Sequence, residues 1–495
     1  MQKILVANRG EIAMRVLRSA KKMGIKTVAI YSEADRNSPH VKFADEAVCV
    51  GLPPSAQSYL QMDKIIEICK KLHVDGVHPG YGFLSENAVF AQKLAENNIT
   101  FIGPSAESMQ IMGGKISAKQ AVVKYGVPLV PGIDKAITNI SEAKQTAIEI
   151  GFPILIKASA GGGGKGMRIV ENEKEFEEQM QRAQSEAQSA FGDNSVFIEK
   201  YVNKPRHIEI QILSDKFGNC VYLFERECSI QRRHQKLVEE APSACLSPEL
   251  RAKMGEAAVK VAKACNYHGA GTVEFLVNAD MDFYFLEMNT RLQVEHTVSE
   301  IICGLDLVKE QINIAKGLPL NFTQNDLKIN GHAIELRICA EDPMNDFLPC
   351  TGNLHTYQRP VGKGIRVDDG YEEGMEISIY YDSLIAKLIV HAENRAEAIA
   401  KMIYAIDHYN IQGVENTLNF GKFVMQNEMF KKGDFDTNFI NAHFSKSILS
   451  NEIEKDAEIA AKLAIQIYEQ HLKDNKSSVI SYNDEKEYSA WRKLV

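Results

Sequence analysis

The sequence predicts an α/β fold over its first hundred or so residues and a mixed α+β body after that. Three observations carry this. Short apolar runs alternate with helical spacing up to about residue 112. A small unit follows, built around a glycine run at 161–164. Beyond residue 203 the pattern turns to strands.

In the N-terminal part, Ile4–Ala7, Thr27–Ile30, Ala47–Val50, Gly76–His78 and Phe101–Gly103 read as buried strands, with helical spacing over Glu11–Met23 and Met62–Leu72. Such βαβα alternation implies a parallel sheet covered by helices. Gly113-Gly114 marks a boundary, and GVPLVPGID (126–134) is a proline-rich connection, so 113–134 reads as a linker. The small unit spans 135–202 and centres on Ile154–Lys157, Met167–Val170 and Val196–Val202. From 203 to 445, strands are expected at His207–Leu213, Val221–Glu227, Thr272–Val277, Phe283–Glu287, His332–Ile338 and Leu384–Val390, with a helix over 394–406. In the tail, 446–495, Ile453, Ala457, Ala460, Ala464, Ile467 and Tyr468 form one stripe at helical spacing.

Composition narrows the function classes. The chain has 495 residues and a net charge of −8, a balance unsuited to holding nucleic acid. Its nine cysteines contain no C-x-x-C pair, which fits reduced thiols better than a disulfide frame or a zinc site. There is no apolar run of about 18 residues and no signal-peptide pattern, so no membrane span and a cytoplasmic location are expected.

The chemistry-bearing segments are few. In ILIKASAGGGGKGMR (154–168) a strand delivers Lys157 into a glycine run whose backbone N–H groups can approach phosphate oxygens. This is not a Walker A loop, and a flexible surface loop would look the same. Glu274 and Glu287 lie in two strand-like runs joined by a polar turn. A hairpin centred between Asp280 and Met281 places them opposite each other, where two carboxylates repel unless a cation intervenes. Glu287, Asn289, Arg291, Gln293 and Glu295 alternate with apolar residues, so an extended chain would put five polar groups on one face. Glu287 and Asn289 suit a metal, Arg291 an anion, and Glu295 a proton. Gln231, His234 and Lys236 offer donors within ECSIQRRHQKLVEEAP, though a basic surface loop reads alike.

Together these segments resemble the biotin carboxylase family within the ATP-grasp superfamily. The resemblance covers residues 1–445 through ILVANRGEIAMRV (4–16), VHPGYGFLSEN (77–87), FIGPS (101–105), IKASAGGGGKGMR (156–168), EKYV (199–202), RHIEIQ (206–211), ECSIQRRHQKLVEEAP (227–242), GAGTVEF (269–275), FLEMNTRLQVEHTVSE (285–300) and GHAIELRICAEDP (331–343). It implies a Rossmann-like N-terminal domain (1–112), an ATP-grasp fold with a lid (135–202), and a C-terminal biotin carboxylase domain within 203–445. It also implies that Lys115, Lys157, Gly163, Gly164, Glu199, Lys200, Val202, His207, Gln231 and His234 contact ATP. Glu274, Glu287 and Asn289 would hold two Mg²⁺ or Mn²⁺ ions. Lys236, Arg291, Gln293 and Val294 would surround bicarbonate, Glu295 would be the base, and Arg337 would face the biotin ureido oxygen. Ala160, Lys165 and His268 depart from the family pattern, in ways expected to leave the chemistry intact.

The implied reaction is formation of carboxyphosphate from bicarbonate and ATP, then carboxylation of biotin, shielded from water by a closing lid. No A-M-K-M segment occurs and no carboxyltransferase region follows residue 445. The expected partners are therefore a separate biotin carboxyl carrier protein, a carboxyltransferase subunit and a second copy of the chain in a homodimer. The acceptor stays open among acetyl-CoA, propionyl-CoA and pyruvate, although the tail resembles free-standing pyruvate carboxylase subunits. Alternative readings are another ATP-grasp ligase, such as a carbamoyl-phosphate synthetase fragment, or a non-catalytic nucleotide-binding scaffold.

Overall fold

A computed structural model describes residues 1–133, 135, 137–159 and 167–476, in two compact units, Met1–His443 and Phe444–Val495. Gly163 and Gly164 lie outside the described residues, as do Trp491 and Leu494.

The first unit opens with a five-stranded parallel sheet, in the order Glu46–Gly51, Lys26–Ser32, Lys3–Val6, Gly76–His78, Thr100–Phe101. Its strands carry apolar residues on both faces, as a sheet covered on both sides requires. Leu5, Val28, Ile30 and Val77 pack with Ile65 and Phe90 from two helices. Ile4 and Val6 pack on the other face with Val16 and Leu17 of the helix Gly10–Lys22 and with Leu213 and Val221 of the next sheet.

That next sheet is the frame of the molecule. Its eight strands run Phe283–Asn289, Gly269–Val277, Arg206–Ser214, Cys220–Arg232, Gln235–Ala241, His332–Cys339, Leu384–Ala392, Ile365–Asp369, each antiparallel to its neighbour. The helix expected over 394–406 forms at Arg395–Asp407, where the Asn394 side chain accepts from the Glu397 backbone N–H as an N-cap. The small unit is a three-stranded sheet, Met167–Val170, Ile154–Ala158, Val196–Lys200, under two helices whose Ala143, Ala147, Phe176 and Met180 meet Ile154, Ile156 and Ile198.

Two expectations change. The stretch 113–134 is more than a linker: Lys115–Val123 is a helix, and its Ala118 and Val122 join a core with Val261 and Ala262. ECSIQRR is not a loop either. It continues the strand Cys220–Arg232, which turns back through Arg233 and His234, both at positive φ (48° and 67°), into Gln235–Ala241. Positive φ at both turn residues matches the twist of a two-residue hairpin.

The second unit contains the helix Lys446–Lys476 on the sequence stripe. Ile459, Leu463, Ile467 and Tyr468 on it are exposed. Among the described residues, no helix is long and apolar enough to cross a membrane.

Candidate active site

Glu274 and Glu287 are paired across the strands, as the hairpin arithmetic expects, but the pairing arises differently. Val277↔Phe283 through Phe275↔Phe285 centre the hairpin on Asp280, and an irregularity between Glu274 and Phe275 then shifts the register by one. The environments diverge: Glu274 is buried and Glu287 is exposed. Glu274 Oε1 accepts from Lys236 Nζ (2.9 Å), Asn289 Nδ2 (2.9 Å) and Gln293 Nε2 (3.1 Å), and its Oε2 lies 3.0 Å from His207 Nε2. Burial opposes its charge, but Lys236 and His207 outweigh that and hold its pKa well below the ordinary value. For Glu287 the surrounding protein, then the charge of Glu274, push the pKa up.

The five-residue polar alternation does not run as one strand. The strand ends at Asn289, and Glu295 becomes the N-cap residue of the helix His296–Cys303. Just past the strand end, Glu86 Oε1 accepts from the Thr290 backbone N–H at 3.0 Å. Glu86 Oε2 also accepts from Arg291 Nε at 2.8 Å, while Arg291 Nη2 donates to Asn289 Oδ1 at 2.9 Å.

Two of the five, Gln293 and Glu295, meet at Lys236. Lys236 is 9% exposed, and its three ammonium N–H groups are shared among four acceptors: Glu209, Glu274, Gln293 (3.2 Å) and Glu295 (2.8 Å). The other oxygen of Glu295 accepts from Arg337 Nη2 at 2.8 Å, and Arg337 Nε donates to Glu239 at 2.6 Å. Burial would raise the pKa of Glu295, but Lys236, Arg337 and Arg226 drive it far down. Val294 is fixed through its carbonyl, which accepts from Lys387 Nζ at 2.7 Å.

A second group lies on the small sheet and beside it. Lys157 Nζ is 2.6 Å from Glu199 Oε2. Burial and then the charge of Lys157 lower the pKa of Lys115, which also feels Glu287, so the two groups share one field. His207 Nδ1 meets Gln231 Nε2 at 3.4 Å, and His234 feels both His207 and Lys157. Lys200 is turned elsewhere: its ammonium donates to the carbonyls of Gly151 (2.8 Å) and Phe152 (3.0 Å). Val202 follows the strand Val196–Lys200 in irregular chain.

Sequence reasoning missed Glu86, Lys119, Glu209, Arg226 and Glu239. Glu209 had a signal, since His207, Glu209 and Gln211 alternate on one face of the strand Arg206–Ser214. Glu239 is fully buried beside Arg337. Burial, only partly offset by Arg337, pushes its pKa up to about 8. Native Glu239 thus stays protonated while its unfolded counterpart ionises, so wild-type stability falls as pH rises from about 4.5 to 8. Glu239→Gln, which does not titrate, is expected to be the more stable form at pH 8, with an advantage that shrinks toward pH 5. Denaturant midpoints at pH 5, 6.5 and 8 check this, and an advantage that grows on acidification would contradict it.

The arrangement, an eight-stranded antiparallel sheet carrying paired carboxylates and a separate three-stranded sheet carrying Lys157, is that of an ATP-grasp ligase. Three family models match in series: biotin carboxylase N-terminal domain over residues 1–109, carbamoyl-phosphate synthase L chain ATP binding domain over 114–323, and biotin carboxylase C-terminal domain over 335–442. The chain belongs to the biotin carboxylase family. It is 49% identical to biotin carboxylase 1 of Bacillus subtilis over 444 residues, 90% of this chain and 99% of that one. It is 52% identical over 482 residues to the human mitochondrial propionyl-CoA carboxylase alpha chain, covering 96% of this chain and 66% of that longer one. The biotin carboxylase domain dimer of Hydrogenobacter thermophilus 2-oxoglutarate carboxylase, solved with MgADP, ADP and bicarbonate, superposes with a TM-score of 0.85 at 48% identity, covering 89% of this chain and 97% of that one. The chain thus spans about two thirds of the human relative's length and nearly all of the bacterial one's.

Proposed function

We propose that this chain carboxylates biotin carried on a separate protein, using ATP and bicarbonate, and works as a homodimer in the cytoplasm beside a carboxyltransferase subunit. The observation that carries the reading is the Lys236 hub: one buried ammonium joins Glu274 on the metal side to Glu295, and through it to Arg337 on the biotin side. Likeness to both a propionyl-CoA and a 2-oxoglutarate carboxylase leaves the final acceptor to the transferase partner.

Glu274, Glu287 and Asn289 supply hard oxygen donors, and the cross-strand pairing sets the two carboxylates side by side, where a cation would relieve their repulsion. They would hold Mg²⁺ or Mn²⁺, which when bound neutralises charge on the nucleotide phosphates. Lys115, Lys157, Glu199, Lys200, Val202, His207, Gln231 and His234 would contact the nucleotide, as would Gly163 and Gly164. Lys236, Arg291, Gln293 and Val294 receive bicarbonate. Glu295 takes the bicarbonate proton, and the carbonate oxygen attacks the γ-phosphate to give carboxyphosphate and ADP. Held by Lys236 and Arg337, Glu295 is ionised but a weak base. Transfer of either cation to an anionic substrate raises its basicity when the proton must move. Carboxyphosphate then releases CO₂ and phosphate. Phosphate deprotonates biotin, and Arg337 stabilises the ureido oxyanion.

Purified chain should show bicarbonate-dependent ATP cleavage that requires Mg²⁺ or Mn²⁺ and rises on adding free biotin. ADP release at equal rates with and without biotin, from folded protein, would overturn the assignment.

A further inference from the structure

Glu199 lies in the small sheet with 3% of its surface exposed. Its strand pairs with Ile154–Ala158 so that Leu155 faces Glu199 and Lys157 faces Phe197, which sets Lys157 diagonal to Glu199 on one sheet face. Glu199 Oε2 holds Lys157 Nζ at 2.6 Å. Its other oxygen holds Lys119, which comes from the separate helix Lys115–Val123. The chain at Gly132 closes over this carboxylate: a Cβ there would meet Glu199 Cγ at 3.1 Å and the Ile198 carbonyl at 2.6 Å. One walled-in carboxylate therefore carries two ammonium groups, one of which the nucleotide reading requires elsewhere.

We propose that Lys119 is a positioning residue for nucleotide binding: it stays on Glu199 and so releases Lys157 to the phosphates. The inference rests on the proposed nucleotide site. A buried carboxylate stripped of every cation is strongly disfavoured, so Glu199 can give up one lysine only if it keeps another. Lys119 is the one built to stay. Its side chain is 8% exposed against 12% for Lys157, and its ammonium lies 4.6 Å from the centre of the Phe197 ring against 5.9 Å, a closer cation–π contact. Without Lys119, Glu199 and Lys157 form an isolated buried pair, and the phosphates must break it.

Calorimetric titration of the full chain with MgATP, and separately with adenosine, tests this. Lys119→Met should weaken MgATP binding on the order of 10- to 100-fold. Adenosine binding should hold within about twofold, because the lost contact concerns phosphate alone. Lys119→Arg should keep wild-type affinity within a few fold. Adding Glu199→Gln to Lys119→Met should restore MgATP binding toward that of Glu199→Gln alone, because the carboxylate that traps Lys157 is gone. Wild-type MgATP affinity in folded Lys119→Met, or equal loss of MgATP and adenosine, overturns the proposal. Should Lys119→Met not fold, the double variant is compared with Glu199→Gln alone: equal MgATP affinity supports the proposal and a further loss overturns it. Wild-type protein that binds no MgATP would instead remove the nucleotide reading beneath it.

Discussion

Arg337→Ala should lose carboxybiotin formation by about 10²–10³-fold while retaining bicarbonate-dependent ATP cleavage, whereas Glu295→Ala should lose both. The geometry makes this split sharper than roles alone would. Arg337 and Glu295 touch at 2.8 Å, so removing the arginine also changes the base. Glu295 still keeps Lys236 at 2.8 Å, and it stays ionised and placed. Losing one of the cations that depress its pKa moves that pKa up toward the ordinary value. Because even that raised pKa stays at or below the ordinary carboxylate value, ATP cleavage in Arg337→Ala should keep a nearly unchanged rate across pH 5.5–9. Glu295→Ala leaves Lys236 facing Glu209 and Glu274 with no acceptor for the bicarbonate proton, so neither product forms. ADP and carboxybiotin are measured in parallel from pH 5.5 to 9, with melting curves for both variants. Equal loss of both products in a folded Arg337→Ala would refute the division of labour.

How far the site was legible depended on the distance over which each contact acts. Local periodicity placed the parallel strands within about a residue or two of Lys3–Val6, Lys26–Ser32 and Gly76–His78, because alternation and apolar runs are local signals. The Glu274–Glu287 pair was readable because a hairpin ties register to turn position, although a register irregularity rather than the turn centre sets it. The alternation from Glu287 to Glu295 suggested five polar groups on one strand face, but the strand ends at Asn289. Just past that end the Thr290 backbone N–H donates to Glu86, a contact across 204 positions that no local pattern contains. Lys119 fell in the stretch 113–134 that reads as a linker, and its partner Glu199 lies 80 positions away. Roles facing ATP, bicarbonate and biotin came from family likeness; spacing alone gave only chemistry that such roles need.

The interior of the large sheet carries the second large effect. Arg226 is fully buried in the middle of the Cys220–Arg232 strand. Its Nε donates to Glu209, one Nη to Gln211 (2.7 Å) and Ser299 (2.9 Å), and the other to Thr272 (3.0 Å). Those partners come from two other strands and a helix, so the guanidinium stitches the sheet behind the Lys236 hub. Arg226→Met keeps an apolar stem of similar length but deletes the charge. Glu209 is then left buried with Lys236 alone, and three polar side chains lose a donor. Breaking a buried pair from one side costs about 3–5 kcal/mol, far more than removing an exposed one. Arg226→Met should therefore lower the unfolding free energy obtained from urea titration by an amount of that order. Lys462→Met, which breaks an exposed pair with Glu458, should stay within about 0.5 kcal/mol. Adding Glu209→Met to Arg226→Met should recover part of the loss, because the stranded carboxylate goes too. That recovery separates a charge effect from a packing effect, since the double change alters more volume than the single one. A single variant as stable as wild type, or a double variant less stable than the single, would show that Arg226 fills space rather than balancing Glu209.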